Sequence, residues 1–188
     1  ITLTDVYSYL AYLSRDRLNR PNSDHSEKGL SASTRARKVA TRRSFFNYLC
    51  NKVHLLPDTP IKDIDSPKIK KTLPRYLTLD ESVRLLQGVG GPNRERDLCI
   101  LTLFLNCGLR VSELVGLNLT DFQRDTVRVT GKGGKERTVY LNEACADAIN
   151  QYLPHRLRPH DRDKNALFIS RDNRRISVRG VQKMVDKK

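Results

Sequence analysis

Arg110 and Glu113 form a pair of residues whose chemistry and spacing suggest a site. They follow the apolar run 98–105, which the pattern predicts as a helix buried on most sides. Gly108 is expected to end that helix in the left-handed conformation, and Ser112 is expected to cap the next one. A carboxylate three residues after an arginine can brace its guanidinium. A braced arginine can hold a phosphate through two hydrogen bonds.

A glycine-lysine hairpin follows this pair. Residues 126–130 and 137–141 alternate in polarity and are predicted as two antiparallel strands with their valines facing inward. The turn between them, residues 131–135, reads GKGGK, so Lys132 and Lys135 project from it. Its glycines let the turn lie close to another backbone. A lysine there can deliver charge or a proton to a phosphate oxygen.

Each motif has a plainer interpretation when taken alone. An arginine at a helix corner is usually a surface cap or ion pair, and a Gly-Lys turn is usually a solvated hairpin. The turn is also not a nucleotide-binding P-loop, because Glu136 follows where Ser or Thr should stand and Val129 replaces the first glycine. Only the combination of both motifs indicates a phosphate site.

Composition narrows the class of partner. The 188 residues suffice for one large or two small domains, and a net charge of +14 with a pI of about 9.9 indicates a polyanion, most simply nucleic acid. A membrane surface is the alternative, but no apolar run approaches transmembrane length and no secretory signal is visible. The four cysteines lack C-x-x-C spacing and are expected to be reduced thiols of a cytosolic protein; with scattered histidines they suggest no metal site.

The two motifs together resemble the tyrosine recombinases (phage integrase family), and most closely the Xer-type bacterial members. GLRVSELVGL followed by VRVTGKGGKERTVYL matches the arginine box and the lysine hairpin of that family. The resemblance extends over SASTRARKVATRRSFFNYL, KKTLPRYLTLDE and ALFIS. It implies a mainly α fold with a small antiparallel β-sheet, in which a helical core-binding domain precedes a mixed α/β catalytic domain.

The resemblance also implies a mechanism. In the family a tyrosine attacks the scissile phosphate and forms a 3′-phosphotyrosyl link, which stores the bond energy, so neither ATP nor a metal cofactor is needed. Arg110 matches the first catalytic arginine, and Glu113 matches its supporting carboxylate. Lys132 matches the catalytic lysine, because it is the first lysine of GKGGKER. Two arginines stabilise charge on the phosphate, and the lysine protonates the leaving oxygen.

The family's second arginine box, its later histidine or tryptophan, and its tyrosine all follow the helix predicted to start near Ser177. The chain begins at Ile1 without an initiator methionine and stops at Lys188, so we expect a fragment that binds DNA without cleaving it. His155 and Arg158 spell H-x-x-R, but they precede ALFIS, whereas the family's box follows it. We therefore reject them as the second box.

Local patterns predict several helix starts and one short strand. Helix caps are expected at Thr2 with Asp5, at Thr78 with Glu81 in a capping box, at Asn142 and at Ser177, and residues 166–170 are expected to form the strand.

Three segments are predicted. Residues 1–65 form the core-binding domain, residues 66–77 are a basic, proline-containing linker, and residues 78–188 are the N-terminal part of the catalytic domain. A long helix from Ser31 or Ser33 to about Val53 presents a polar arc suited to a DNA groove, although a merely solvated face is equally compatible. Arg37 and Thr41 lie on this arc and are predicted DNA contacts. Lys38 and Arg42 are added because the resemblance implies that the family's matching helix lies in the major groove. The other predicted DNA contacts are Lys68, Lys70, Lys71, Lys135 and Arg137.

The expected function is site-specific DNA recombination, with Xer-type chromosome dimer resolution as the first expectation. Integration of a mobile element is the alternative within the enzyme class, and a non-catalytic DNA-binding accessory protein is the alternative outside it. The expected partner is a double-stranded recombination site, bound by a recombinase tetramer on two DNA sites. The expected location is the cytoplasm, in association with the nucleoid.

Overall fold

The structure is a computed structural model that describes residues 2–15, 29–62, 64–69 and 73–186. It divides into two compact units, Ile1–Pro74 and Arg75–Lys188. The division falls inside the segment predicted as a linker, where residues 64–69 and 73–77 have no regular secondary structure. No helix in the described residues is both long and apolar enough to span a lipid bilayer.

In the residues that the structure describes, the first unit contains two α-helices, α1 (Leu3–Arg15) and α2 (Ala32–Asn51). Thr2 and Asp5 cap α1 through mutual hydrogen bonds, and the Ser31 side chain accepts a hydrogen bond from the Thr34 backbone N–H to cap α2. Of the two candidate caps for α2, the structure selects Ser31. The helix ends at Asn51, two residues before the predicted end.

The core of this unit is small. Val6 of α1 packs with Val39 and Phe46 of α2 and with two isoleucines that follow the helices, Ile61 and Ile64. Arg43 of α2 donates hydrogen bonds to the Ile64 carbonyl and the Ser66 hydroxyl, which tie the extended segment back to the helix. The unit is therefore held together by a small apolar core and by an arginine that hydrogen-bonds to one carbonyl and one hydroxyl of the extended segment.

The second unit contains five helices and one sheet in the described residues. Its helices are α3 (Leu79–Gln87), α4 (Arg94–Cys107), α5 (Val111–Gly116), α6 (Glu143–Tyr152) and α7 (Val178–Val185). Side chains predicted as caps begin three of them: Thr78 with Glu81 in a capping box, Asn142 and Ser177.

The sheet has three antiparallel strands in the order β1 (Phe122–Gln123), β2 (Thr126–Thr130) and β3 (Glu136–Tyr140). β2 matches its predicted bounds, β3 begins one residue earlier than predicted, and the short β1 was not predicted. Val127 lies opposite Val139, and Val129 lies opposite Arg137. Both valines of β2 are buried, so this face of the hairpin packs on the core.

α4 is the central helix of the second unit. Its residues 99–103 are all buried, as the apolar run predicted, and α6 packs along it. Gly108 ends α4 in the left-handed conformation, with φ 57° and ψ 35°. Leu109 is again buried, so the chain leaves α4 at a defined point and turns directly into α5.

Two local predictions were wrong. Ser112 does not cap α5, because the helix already begins at Val111 and Arg110 occupies the capping position. Residues 166–170 do not form a regular strand. Ala166 and Ile169 make only single bridges, to Asn118 and Arg175, because each flank of the buried segment meets a different partner. No continuous ladder can form under those conditions.

Candidate functional site

Arg110 is placed by the corner between α4 and α5. Leu109, the residue before Arg110, is buried, and α5 begins at Val111, the residue after Arg110. The Arg110 side chain is 71% exposed and donates one hydrogen bond, from Nη1 to Glu113 Oε1 at 2.8 Å. Its other guanidinium N–H groups meet no acceptor in the described parts of the chain. They can therefore hydrogen-bond to an anion such as a phosphate.

Glu113 is the buried centre of the arrangement, with a side chain only 2% exposed. Its Oε1 accepts from Nη1 of Arg110 at 2.8 Å and Nη1 of Arg137 at 2.6 Å. Its Oε2 accepts from the Arg110 backbone N–H at 2.8 Å and Nη2 of Arg137 at 2.9 Å. Four donors fill the four acceptor positions of the carboxylate, so Glu113 holds the arginines and cannot also bind a substrate hydroxyl.

The same contacts control the ionisation of Glu113. The hydrogen bonds from Arg137 and Arg110 outweigh burial and lower the pKa of Glu113 from 4.5 to about 2, with Arg137 as the largest cause. Glu113 is therefore ionised at neutral pH and is a poor proton acceptor. This supports the predicted bracing role and excludes a general base at this position.

Arg137 also belongs to the ion-pair cluster around Glu113. The sequence predicted only a DNA contact for it. Its guanidinium makes a two-pronged ion pair with Glu113 and is 40% exposed. A signal for this was available, because Arg137 lies two residues before inward-facing Val139 and so belongs to the same face of β3. A charged residue on a core-facing position needs a buried partner, and Glu113 is that partner.

The hairpin turn approaches this ion-pair cluster through Gly131. A side-chain carbon built on Gly131 would lie 3.4 Å from Glu113 Oε1 and 4.0 Å from Arg137 Nη1. Lys132 is the next residue, and adjacent α-carbons are about 3.8 Å apart, so its backbone is also near the cluster. The short 3-10 turn Lys132–Gly134 needs positive φ at Gly133 (77°), which glycine adopts readily.

Lys132 and Lys135 are both exposed, and neither side chain has a hydrogen-bond or ion-pair partner among the residues that the structure describes. Gly131 N–H donates to the Lys135 carbonyl at 2.7 Å, which closes the turn between the two lysines. The structure thus brings Arg110, Glu113, Arg137 and the base of the lysine turn together. The DNA and catalytic roles assigned to them from sequence stay predictions.

Arg175 holds the C-terminal end of α5. Nη1 of Arg175 donates to the carbonyls of Val115 and Leu117 at 2.9 and 3.0 Å, and its Nη2 donates to Asn118 Oδ1 at 2.6 Å. The carbonyls at the C-terminus of a helix lack partners within the helix. Arg175 supplies such partners, so α5 is held at both ends by arginine hydrogen bonds.

The predicted DNA contacts of α2 fall into two groups. Arg37 and Thr41 are exposed, as the polar arc required, and Thr41 Oγ1 donates to the Arg37 carbonyl at 3.0 Å. Lys38 and Arg42 are only partly exposed, and the Arg42 guanidinium lies 3.8 Å from the centroid of the Tyr9 ring. That cation–π contact is an internal role for Arg42 between α1 and α2.

Of the three linker lysines predicted to contact DNA, the structure describes one. Lys68 is exposed, whereas Lys70 and Lys71 lie outside the described residues. His155 hydrogen-bonds through Nδ1 to the Gln151 carbonyl at 3.0 Å, and Arg158 is exposed. His155 thus ends the short 3-10 helix Leu153–His155, and the rejection of this pair as the second box stays a prediction.

The described ranges contain no cluster of three or more His, Cys, Asp or Glu side chains arranged to hold a metal ion. All four cysteines are free. The sulfur atoms of Cys107 and Cys145 lie 3.7 Å apart, and burial raises the pKa of Cys145 to about 12. The Cys145 thiol is therefore a protonated core group with weak nucleophilicity.

Residues 75–188 match the phage integrase family. The chain therefore belongs to that family, and its mainly α fold with a small antiparallel sheet is confirmed as that of its members.

Three comparisons illustrate the relationship. Tyrosine recombinase XerC of Caldanaerobacter subterraneus subsp. tengcongensis is 48% identical over 187 residues, which cover 100% of this chain and 50% of that protein. The crystal structure of XerA recombinase aligns with a TM-score of 0.55 at 25% identity, covering 100% of this chain and 60% of that one. XerH bound to its difH substrate aligns with a TM-score of 0.67 at 18% identity, covering 100% and 53%. The chain thus spans about half the length of the curated relatives it matches.

Proposed function

We propose that the protein containing this chain is a Xer-type tyrosine recombinase, which cuts and rejoins DNA at a specific site. The observation that carries the proposal is the exposed guanidinium of Arg110, held from one side by the buried and fully hydrogen-bonded carboxylate of Glu113. The 48% identity to a XerC protein over the whole chain supports the same assignment.

Arg110 is preorganised to stabilise negative charge on a phosphate. Its orientation is set before any DNA binds, so little reorganisation is needed when charge develops in the transition state. Lys132 is the proposed general acid, which gives a proton to the 5′-oxygen as that oxygen leaves. In this proposal, the nucleophilic tyrosine, the second arginine and the histidines lie after α7, in the order in which the family has them.

The proposed partner is a duplex recombination site. Solved proteins of the same fold include a lambda integrase dimer bound to a core site and a lambda integrase tetramer bound to a Holliday junction. By analogy we propose a tetramer that joins two DNA sites. Chromosome dimer resolution, in the cytoplasm and associated with the nucleoid, is the proposed biological context, because the curated relatives are XerC proteins.

The test separates the roles of Arg110 and Lys132 in the protein encoded by the complete gene. A nicked suicide substrate traps covalent protein–DNA adduct, and it is made with either an ordinary 5′-oxygen or a bridging 5′-sulfur at the scissile position. A thiolate leaves without needing a proton. Lys132→Ala should therefore lose about 10²- to 10⁴-fold in cleavage rate on the oxygen substrate and recover on the sulfur substrate.

Arg110→Ala should lose at least about 10²-fold on both substrates, because phosphate charge develops whichever atom leaves. Lys135→Ala is the control on the same turn: it should weaken DNA binding without any sulfur rescue. Rescue of Lys135→Ala in place of Lys132→Ala would show that the other lysine is the acid. If the wild-type protein binds DNA but forms no adduct, the protein is a binding module.

A further inference from the structure

We propose that Arg137 is a positioning residue for Arg110, acting through Glu113, and that it does not serve as a DNA-phosphate contact. The inference rests on the proposed function, because it assigns a residue to the same strand-cleavage site. It replaces the DNA contact predicted for Arg137 from sequence. It also makes β3 part of the machinery that orients the α5 corner.

The ion pairs that Arg137 and Arg110 make with Glu113 differ in the number of hydrogen bonds. Arg137 grips both oxygens of Glu113, at 2.6 and 2.9 Å, whereas the Arg110 guanidinium makes a single hydrogen bond at 2.8 Å. A two-pronged pair fixes the plane of the carboxylate, while a single bond leaves rotational freedom. Arg137 therefore sets the direction of the oxygen to which Arg110 is attached.

Burial strengthens this dependence. The Glu113 side chain is 2% exposed, so water cannot replace a lost partner. Without Arg137, two of its four hydrogen bonds would disappear and the carboxylate would keep only the contacts from Arg110. A buried carboxylate that loses half its donors reorients or takes up a proton. Either change would displace the Arg110 guanidinium.

The charge count supports the same assignment. One carboxylate faces two guanidinium groups, so the cluster keeps one net positive charge. Arg137 uses both terminal nitrogens on Glu113 and is the less exposed of the two arginines, at 40% against 71%. The free positive charge is consequently presented by Arg110, and Arg137 compensates the buried negative charge.

The strand register explains why this position can reach Glu113. Arg137 lies opposite buried Val129 on the core-facing side of the hairpin. Gly131 lies beside the ion pairs, since a side-chain carbon built there would be in ordinary contact with Glu113 Oε1 at 3.4 Å and with Arg137 Nη1 at 4.0 Å. Strand, turn and corner therefore meet at one carboxylate.

The experiment uses the protein from the complete gene and four variants: Arg137→Gln, Arg137→Lys, Glu113→Gln and the double variant of Glu113→Gln with Arg137→Gln. Single-turnover cleavage is measured at saturating DNA, and DNA affinity is measured over a range of salt. Arg137→Gln should cleave on the order of 10²-fold more slowly, the size of effect that slight misplacement of a catalytic group produces. Its DNA affinity should change less than about twofold, and the slope of log affinity against log salt should not change.

Arg137→Lys keeps the positive charge but cannot grip two oxygens, so it should recover folding and only part of the cleavage rate. The double variant should be no slower than Glu113→Gln alone, because both changes break one chain of contacts. Sulfur at the leaving position should not rescue Arg137→Gln, which would thus behave as an Arg110 variant and not as a Lys132 variant. Arg128→Gln is the matched control: it removes an arginine from the other face of the hairpin and should cleave as wild type does.

Three results would overturn the inference. The first is a salt slope that falls by about one in Arg137→Gln with normal cleavage of bound DNA, which is the behaviour of a phosphate contact. The second is independent, multiplying losses in the double variant. The third is full activity of Arg137→Lys, which would make charge alone sufficient. Absence of adduct from the wild-type protein is a separate outcome that would overturn the proposed function and this inference with it.

Discussion

At the scale of single residues, Glu113 is the buried carboxylate that holds Arg110 and Arg137 together. A carboxylate that is 2% exposed is stable only when its charge is compensated and its oxygens are hydrogen-bonded. Two arginines and one backbone N–H supply those partners. The consequence is that an acidic residue orients positive charge, and the ion pairs persist well below neutral pH because the pKa of Glu113 is lowered to about 2.

This predicts a specific pH dependence of stability. The pKa of Glu113 is lowered in the folded protein, from 4.5 to about 2, so its stabilising contribution is complete above pH 4.5 and is lost as the pH falls towards 2. Glu113→Gln should be less stable than wild type at neutral pH by roughly 2–3 kcal/mol. The difference in free energy of unfolding should shrink between pH 4.5 and 2. Urea unfolding followed by circular dichroism measures it, and a difference independent of pH would contradict this ionisation.

At the scale of elements, the corner between α4 and α5 determines where Arg110 stands. α4 is held in the core by its buried residues 99–103, and its end is set by Gly108. Arg175 holds the opposite end of α5 through carbonyls and Asn118. The short helix is therefore a rigid support even though it has only six residues. Its stability comes from tertiary contacts, since so short a helix is not stable alone.

The left-handed cap gives a prediction for this element. Gly108 has a φ of 57° and open space where a side-chain carbon would be, so Gly108→Ala adds conformational strain without a clash. We expect a loss of about 1–2 kcal/mol in the free energy of unfolding, and a smaller loss for Gly108→Asn. Gly116→Ala is the control, because Gly116 also faces open space but has no positive φ. Equal effects at both glycines would show that the left-handed conformation is not the cause.

At the scale of the whole molecule, charge is the property that bears on the proposed binding to DNA. The chain carries a net charge of +14, which favours a polyanion over any neutral partner. Exposed basic residues occur in both units, with Arg37 and Lys68 in the first and Lys132 and Lys135 in the second. The phosphate contacts predicted from sequence are thus spread over both parts of the chain.

We therefore predict that the 188-residue chain binds duplex DNA with an affinity that falls steeply as salt rises, and that it forms no covalent adduct. Each phosphate contact releases counterions, so Arg37→Ala should lower the slope of log affinity against log salt by about one. Lys62→Ala is the control, because Lys62 already pairs with Asp58 at 3.7 Å and should leave the slope unchanged. Mobility-shift titrations measure both, and a flat salt response would contradict electrostatic binding.

The amino-acid sequence by itself determined the features that depend on neighbours within a few residues. The caps at Thr2, Ser31, Thr78, Asn142 and Ser177 are found as predicted. So is the pairing of Arg110 with Glu113. A three-residue spacing brings two side chains together within one helical turn, so the pairing follows once the turn is formed. The alternation of β2 was also predictable, because a strand's inward face repeats every second residue.

Tertiary structure alone decided the contacts between residues far apart in sequence. A DNA contact is predicted for both Arg137 and Arg42 and stays a prediction, but their partners within the chain were not predicted. Arg137 pairs with Glu113 across 24 positions, and Arg42 lies over the ring of Tyr9. The residues 166–170 were predicted as a strand but make only single bridges. Which surface a charged side chain meets depends on how elements pack, and the free energy of that packing comes from many distant contacts. Local spacing and polarity specify that an arginine needs a partner, and only the packed fold specifies which partner is within reach.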